Sequence, residues 1–237
     1  MSDEPSESAS AVSQLLPGEE FAVLDVTAGW AWGYCALDHR VGYVAAIHLT
    51  DPVEPSHVVI EASAPIQSGC DPLSHALAHL PMGSRLCGKA QGARLQTEAG
   101  SVPLSYLRPI GDHESDPVDV ARRLLGAPYL PGGRTHQGMD CAGLVQLSLQ
   151  LCGIDAPRDA REQRGLGRPV KRGEPPKRGD LVFCADHVAM MVDDCMVIHV
   201  GWAARKVAVE PLAAVSPRAC AMPVELRRLD RGCISDL

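Results

Sequence analysis

The chain has 237 residues, of which 46% are hydrophobic and 22% charged, and its formal net charge is −7. This length accommodates one moderate catalytic domain together with one or two small domains, each with its own core. The acidic balance and the lack of a Lys/Arg-rich run argue against nucleic acid as a partner. They argue equally against electrostatic capture by an anionic polymer or a membrane, so a small soluble substrate fits better.

The amino terminus is polar and acidic, and residues 1–10 are predicted to form a disordered tail. They contain neither a basic region nor an apolar core of the kind that a secretory signal needs. No run in the sequence approaches 18 apolar residues, so no membrane span is expected. The nine cysteines are an odd number at irregular spacing, which is typical of a reducing compartment. Together these features predict a cytoplasmic protein.

Short strand-like segments, interrupted by Gly and Pro, fill the first half of the chain. The segments that carry this prediction are residues 29–33, 41–44, 57–62 and 101–104. They predict two small β domains, at residues 11–54 and 55–111. The third predicted domain, residues 112–237, opens with a helix that has Asp116 before it and Pro117 at its first position.

A second helix is predicted to begin at Cys141. The residues that recur at helical spacing on one buried stripe are Cys141, Leu144, Val145, Ser148, Leu149 and Cys152. Asp140 is the predicted N-cap and Gly153 the predicted C′ residue. Cys141 then lies in the first turn, where unpaired backbone N–H groups and the helix dipole favour the thiolate. An isolated cysteine is more often a small buried hydrophobe than a nucleophile, so the assignment depends on residues downstream.

Two histidines follow in a predicted β-hairpin. Residues 187–192 and 195–200 are predicted strands, and Asp193-Asp194 is a turn signal between them. With a three-residue loop, His187 and His199 share a face of the hairpin as diagonal neighbours, about 7–8 Å apart. A two-residue loop would put them on opposite faces. In the first register His187 accepts the Cys141 proton and His199 orients its ring. Each histidine also has the simpler interpretation of a satisfied core or surface residue.

A zinc site is the alternative for this region, because Cys184, His187, Cys195 and His199 offer two thiols and two imidazoles. Only seven residues separate His187 from Cys195, against about a dozen in a zinc finger. Cys184 and His187 are moreover expected to point to opposite faces of a strand. We therefore expect no metal and no cofactor.

These segments resemble the NlpC/P60 family of papain-like bacterial cell-wall cysteine peptidases, which have N-terminal bacterial SH3-type domains. The resemblance rests on residues 125–133, 140–145, 157–159 and 179–183, on His187, and on Ile198-His199, in the family's order. It implies an α+β fold, with a papain-like catalytic domain behind two small SH3-type β-barrels. It also implies that Cys141 is the nucleophile, His187 the general base and His199 the orienting residue. Tyr129 would line the site near the nucleophile.

The sequence departs from the family at positions that would contact the substrate. Ala142 follows the nucleophile and Ala160 follows Pro-Arg-Asp, where the family often has serine. Arg40 in the first barrel replaces a tyrosine that would help to bind the substrate amine, and a cation there would repel an ammonium group. Asp140 and Asp159 retain the capacity to hold an amine, although Asp140 serves equally well as a helix cap. The changes predict intact catalytic machinery with a remodelled pocket.

The resemblance thus implies a cysteine peptidase that hydrolyses small peptidoglycan-derived peptides at a γ-D-glutamyl-diamino acid bond, with altered specificity. Together with the predicted cytoplasmic location, it implies recycling of imported wall fragments. Two other classes stay open. A non-catalytic muropeptide sensor would bind such peptides without turnover, and a related thiol amidase or acyltransferase would act on a different bond or acceptor.

Overall fold

The computed structural model describes residues 1–69, 75–201, 204–213 and 224–229. Residue contacts divide the chain into two compact units, Met1–His113 and Glu114–Leu237. The division follows residue 113, two residues after the domain boundary that the sequence predicts. The predicted division of the first unit into two domains stays a prediction.

Antiparallel strands make up most of the first unit. They are β1 Phe21–Thr27, β2 Trp30–Cys35, β3 Val41–Ala45, β4 His57–Val59, β5 Ser63–Gln67, β6 Ala76–Pro81, β7 Arg85–Leu86, β8 Lys89–Gln91, β9 Arg94–Thr97, β10 Gly100–Pro103 and β11 Leu107–Pro109. Two single turns of 3₁₀ helix, Ala46–His48 and Leu104–Tyr106, interrupt them. The strand orders are β1-β2-β3, β6-β5-β10-β9-β8 and β11-β4-β7.

None of these three sheets closes on itself within the described residues, so the two closed barrels that the sequence predicted are not found. The second and third sheets instead cover one core. Its buried members come from strands of both sheets and are Val59, Ala64, Ile66, Leu95, Val102 and Leu107. Two open sheets that face each other bury this apolar set without closing into one cylinder.

The start of the chain differs from the predicted disordered tail. The Ser2 N–H donates to the Tyr43 carbonyl (3.0 Å), and the Tyr43 N–H donates to the Ser2 carbonyl (2.9 Å). Strand β3 would otherwise present free backbone groups at the edge of its sheet, and a polar segment can satisfy them as well as an apolar one. The tail prediction is therefore wrong at this point.

The second unit mixes helices and strands, which confirms the predicted α+β class. Its helices are α1 Pro117–Arg122, α2 Cys141–Leu151 and α3 Ala160–Gln163. Its strands are β12 Arg134–Thr135, β13 Gly138–Met139, β14 Arg168–Pro169, β15 Leu181–Cys184, β16 His187–Met191, β17 Met196–Gly201, β18 Lys206–Pro211 and β19 Glu225–Arg228. β12 pairs with β13, and the other six form an antiparallel sheet of order β14-β19-β15-β16-β17-β18.

Both predicted helix starts are confirmed. The Asp116 carboxylate accepts the Val118 N–H (2.8 Å), and Asp140 accepts the Gly143 N–H (2.7 Å). Helix α2 ends before Gly153, which has a φ of +75° and so adopts the left-handed conformation that favours glycine at this position. The helix is buried on nearly every side rather than along one stripe. Strands β16 and β17, helix α1 and strand β12 all contact it.

The hairpin register is the one predicted for a three-residue loop. Met190 opposes Ile198 and Met191 opposes Val197, so the loop occupies residues 193–195. The Asp193 carboxylate closes this loop by accepting the backbone N–H groups of Cys195 (2.9 Å) and Met196 (2.8 Å). His187 and His199 therefore share one face of the sheet, as the sequence analysis requires for their cooperation.

The expected orientation of Cys184 is wrong. Cys184 and His187 end two adjacent strands, β15 and β16, and form a directly opposed pair. Side chains of such a pair project from the same face.

No helix in the described part of the chain combines the length and apolar character needed to cross a membrane.

Candidate active site

Cys141 is the first residue of α2 and lies beside the strand that carries His187. The Asp140 carboxylate caps the helix, and the Val188 backbone hydrogen-bonds to the thiol. This contact places the Cys141 sulfur next to β16 at the residue after His187. The helix start and the strand thus bring together two groups that are 46 positions apart in the sequence.

The Cys141 thiol departs from the expectation of an acidic, thiolate-forming group. Burial raises its pKa from 9.0 to about 11, since the charged form loses hydration. Hydrogen bonds from the Val188 and Ala142 backbone act in the opposite direction, and the Asp140 carboxylate adds to the rise. The resting group at neutral pH is a thiol, so a base must remove its proton during attack.

Asp140 is held by four hydrogen bonds. Its Oδ1 accepts from the Gly143 N–H (2.7 Å) and Arg158 Nη1 (3.0 Å), and its Oδ2 accepts from the Gly132 N–H (2.9 Å) and Arg158 Nη2 (2.6 Å). Arg158 is 2% exposed. A carboxylate has about four lone-pair acceptor sites, so this network already uses the capacity that a substrate amine would need. The contacts support the capping interpretation of Asp140, with Arg158 as its counterion.

His187, His199 and Glu210 form a hydrogen-bonded chain behind the nucleophile. His187 Nε2 lies 3.0 Å from His199 Nδ1, and His199 Nε2 lies 3.1 Å from Glu210 Oε2. A carboxylate can only accept, so His199 Nε2 carries the proton. Nδ1 of a neutral His199 is then an acceptor, and His187 Nε2 must donate to it. This leaves the lone pair of His187 on Nδ1.

Both histidines are neutral at physiological pH. Burial lowers the pKa of His187 from 6.5 to about 4, and the neighbouring His199 adds to the effect. Burial also lowers the pKa of His199, although the Glu210 carboxylate opposes that change. A neutral His187 is the form that can accept a proton, as a general base requires.

One cavity of about 690 Å³ contains most of the predicted site residues. Its lining includes Tyr129, Asp140, Cys141, Ala142, Asp159, Ala160 and His187. His199 is 3% exposed and supports His187 from behind. Ala142 and Ala160 both line this cavity. The serine hydroxyl groups that the family often has at these two positions are therefore absent from its surface.

Arg40 belongs to the first unit and is described with it. It lies in the turn between β2 and β3, where its N–H donates to the Asp38 carboxylate (2.9 Å) and its carbonyl accepts the Cys35 N–H (3.0 Å). Its role as a substrate-binding residue stays a prediction.

Sequence reasoning missed Arg158 and Glu210 as members of this site. Arg158 is part of the Pro-Arg-Asp segment, but only the fold shows that its guanidinium meets Asp140. Glu210 on β18 opposes Val197 on β17. Val197 lies two positions before His199 on the same strand. A strand prediction for residues 206–211, paired antiparallel with residues 196–201, would have pointed to it.

The residues weighed as zinc ligands do not converge in the described part of the chain. Only Asp193, Asp194 and Cys195 bring three potential ligand atoms together there, and all three are exposed. Cys184 is disulfide-bonded, a cross-link that the odd cysteine count did not predict. His187 and His199 bind each other and Glu210 instead.

Residues 126–220 match the NlpC/P60 family, and residues 1–49 match the bacterial dipeptidyl-peptidase SH3 domain. Residues 126–220 form an NlpC/P60 domain. The resemblance predicted from the sequence is thereby confirmed for these two segments. The NlpC/P60 domain includes Cys141, His187 and His199, whereas Arg40 falls in the SH3 domain.

Curated relatives of the NlpC/P60 domain are named as peptidases. The chain is 34% identical over 105 residues to a gamma-D-glutamyl-L-lysine dipeptidyl-peptidase of Bacillus cereus. The matched region covers 41% of this chain and 31% of the relative. It is 37% identical over 85 residues to a probable endopeptidase NlpC homolog of Haemophilus influenzae. This second match covers 35% of this chain and 46% of the relative. The chain therefore spans less than half the length of these relatives.

The fold has a counterpart among solved structures. A crystal structure of an NlpC/P60 family protein from Bacillus cereus superposes with a TM-score of 0.78 at 23% identity, over 91% of this chain and 81% of that one. At this identity the likeness concerns the fold. It extends well beyond residues 126–220.

Proposed function

We propose that the NlpC/P60 domain is a cysteine peptidase in which Cys141 is the nucleophile and His187 the general base. The observation that carries the proposal is the hydrogen-bonded chain from Glu210 through His199 to His187, which fixes a lone pair on His187 Nδ1. His199 and Glu210 are positioning residues. They hold the His187 ring and stabilise the imidazolium that forms when it accepts a proton.

The proposed reaction proceeds through a thioester. The Cys141 Sγ attacks the carbonyl carbon of the scissile amide while its proton passes to His187 Nδ1. The backbone N–H of Cys141 stabilises the resulting oxyanion, a contribution of about 3 kcal/mol in comparable sites. The C–N bond then breaks as His187 returns the proton to the leaving amine. Water, deprotonated by His187, hydrolyses the thioester and regenerates the thiol.

The proposed substrates are small peptides derived from peptidoglycan, cut at a γ-D-glutamyl-diamino acid bond. The names of the relatives and a cavity of about 690 Å³ support this choice, because the cavity has the size of a site for a small ligand. The alanine walls at Ala142 and Ala160 and the saturated Asp140 carboxylate support a changed specificity. In particular, the site is expected to depend less on a free substrate amine.

We also propose that residues 11–54 and 55–111 are two separate SH3-type units, of which the first has a family match. Strands β1 to β3 form their own sheet, whereas the strands from β4 to β11 share a different core. Expressing residues 55–111 alone tests the division. A cooperative unfolding transition is expected, and its absence would mean that the two segments are one domain.

The test of the function is mass spectrometry of a muropeptide mixture incubated with the wild-type protein and with Cys141→Ala. Cys195→Ala is the matched control, because Cys195 is an exposed thiol in the hairpin loop. The wild type and Cys195→Ala are expected to release the same fragment, and Cys141→Ala none. Equal release by Cys141→Ala would refute the proposal, and binding without any release would identify a sensor.

A further inference from the structure

Arg205 lies in the turn between β17 and β18 and lines the same cavity as Cys141 and His187. Two hydrogen bonds hold its backbone: its N–H donates to the Gly201 carbonyl (2.7 Å), and its carbonyl accepts the Tyr129 N–H (2.8 Å). Its φ is +49°, a left-handed conformation that is strained for an arginine. The fold therefore fixes an arginine at a position where glycine or asparagine would be less strained.

The Arg205 side chain rests on an aromatic ring of the cavity wall. Its guanidinium carbon lies 5.8 Å from the centre of the Tyr129 ring, within the range of a cation–π contact. Tyr129 precedes the loop that carries Gly132, a donor to the Asp140 carboxylate. The guanidinium is thus oriented by a wall that is itself tied to the start of α2.

Two carboxylates of this cavity are paired with arginines. Asp140 binds Arg158 (2.6 Å), and Asp186 binds Arg161 (2.8 Å). Asp186 also lines a smaller neighbouring hollow, together with Arg161 and Asp159. Within the described residues, no carboxylate forms an ion pair with Arg205, and its side chain is exposed. Arg205 is therefore a cation of this cavity that has no ion-pair partner among the described residues.

We propose that Arg205, stacked on Tyr129, is a carboxylate-binding subsite that selects peptides with a free carboxylate beside the scissile amide. The inference rests on the proposed peptidase function and names its substrate class more closely. A planar guanidinium binds a carboxylate through two parallel hydrogen bonds, and its fixed orientation reduces the entropy lost on binding. A glutamyl residue that is linked through its γ-carboxyl group keeps a free α-carboxylate beside the scissile amide.

A matched pair of peptides tests the subsite. One has a γ-linked D-glutamyl residue with a free α-carboxylate, and the other has the same residue with an α-carboxamide. A second pair carries the change on the carboxyl group of the diamino acid instead. The wild type is expected to cleave the acid of one pair with a kcat/KM about tenfold higher than that of its amide, the effect of one charge-assisted contact. The pair that shows the preference identifies which carboxylate Arg205 binds.

The variants separate this role from a general effect on the fold. Arg205→Gln is expected to lose the preference through a higher KM for the acid, with kcat nearly unchanged, and Arg205→Lys is expected to retain part of it. Arg161→Gln is the matched control: it removes a rim arginine that already pairs with Asp186, and the preference should persist. A full preference in Arg205→Gln, or an equal loss in Arg161→Gln, would overturn the proposal.

Binding to the inactive Cys141→Ala variant distinguishes failure of the subsite from failure of the proposed reaction. Calorimetry with the same peptides is expected to show tighter binding of the acid, and Arg205→Gln in that background should abolish the difference. If the wild type cleaves neither peptide but this binding pattern holds, the subsite stands and the peptidase proposal fails. Equal binding of acid and amide refutes the subsite, whether or not the peptides are cleaved.

Discussion

Replacing Glu210 with Gln removes the charge at the end of the histidine chain while keeping the shape of the side chain. In the wild type, the carboxylate lies 3.1 Å from His199 Nε2 and fixes the proton on that nitrogen. A glutamine amide offers both a donor and an acceptor, so it allows His199 to place its proton on Nδ1 instead. His187 Nε2 would then be the acceptor, and the lone pair would leave Nδ1.

The size of the effect follows from the exposure of the pair. A hydrogen bond to a charged group contributes about 1.5–3 kcal/mol, but the Glu210 side chain is 28% exposed, so solvent screening reduces this to the low end. A loss of about 1.4 kcal/mol corresponds to a tenfold lower kcat. The KM should change little, since Glu210 does not line the cavity.

Two measurements check this prediction. Steady-state kinetics are expected to show the tenfold loss in kcat, and ¹⁵N NMR of the imidazole rings should show His187 protonated on Nε2 in the wild type but on both nitrogens in exchange in Glu210→Gln. Glu225→Gln is the control, because Glu225 pairs with Arg227 on β19. Unchanged ring tautomers together with an unchanged kcat in Glu210→Gln would refute the reasoning.

Two further predictions concern stability. The folded His187 has a pKa of about 4 against 6.5 for the free side chain, so the unfolded chain binds its proton first as the pH falls. The contribution of His187 to the free energy of unfolding should therefore be fully present above pH 6.5. The free energy of unfolding should decrease by about 3 kcal/mol as the pH falls from 6.5 toward 4. Urea titrations should show this decrease, and His187→Gln should lack it. Arg158→Met leaves Asp140 without its counterion and should cost about 3 kcal/mol, whereas Arg161→Met, at an exposed pair, should leave the urea midpoint unchanged.

Local signals in the sequence were sufficient for the elements that hold Cys141 and His187. Asp140 and Gly153 mark the ends of α2 because capping depends on residues within one turn. The turn signal at Asp193-Asp194 located the hairpin but left two-residue and three-residue loops open, and the structure has the three-residue loop. These two features bring the thiol and the imidazole to one cavity.

Other features depend on contacts that no local pattern contains. The Cys141 pKa is raised because the surrounding fold excludes water, and the dipole argument from the helix start does not include that burial. Arg158 meets Asp140, and Glu210 meets His199, only after separate segments pack together. The pairing of Ser2 with Tyr43 likewise required knowledge of a free strand edge. Cytoplasmic location and the role of Arg40 stay predictions.

The central claim is that Cys141 forms a covalent acyl intermediate, and rapid acid quenching followed by mass spectrometry tests it most directly. Wild-type protein mixed with a slowly cleaved peptide is expected to gain the mass of the acyl fragment, and peptide mapping should locate it on Cys141. Cys195→Ala should show the same adduct and Cys141→Ala none. An acyl adduct at another residue, or continued cleavage by Cys141→Ala, would contradict the account.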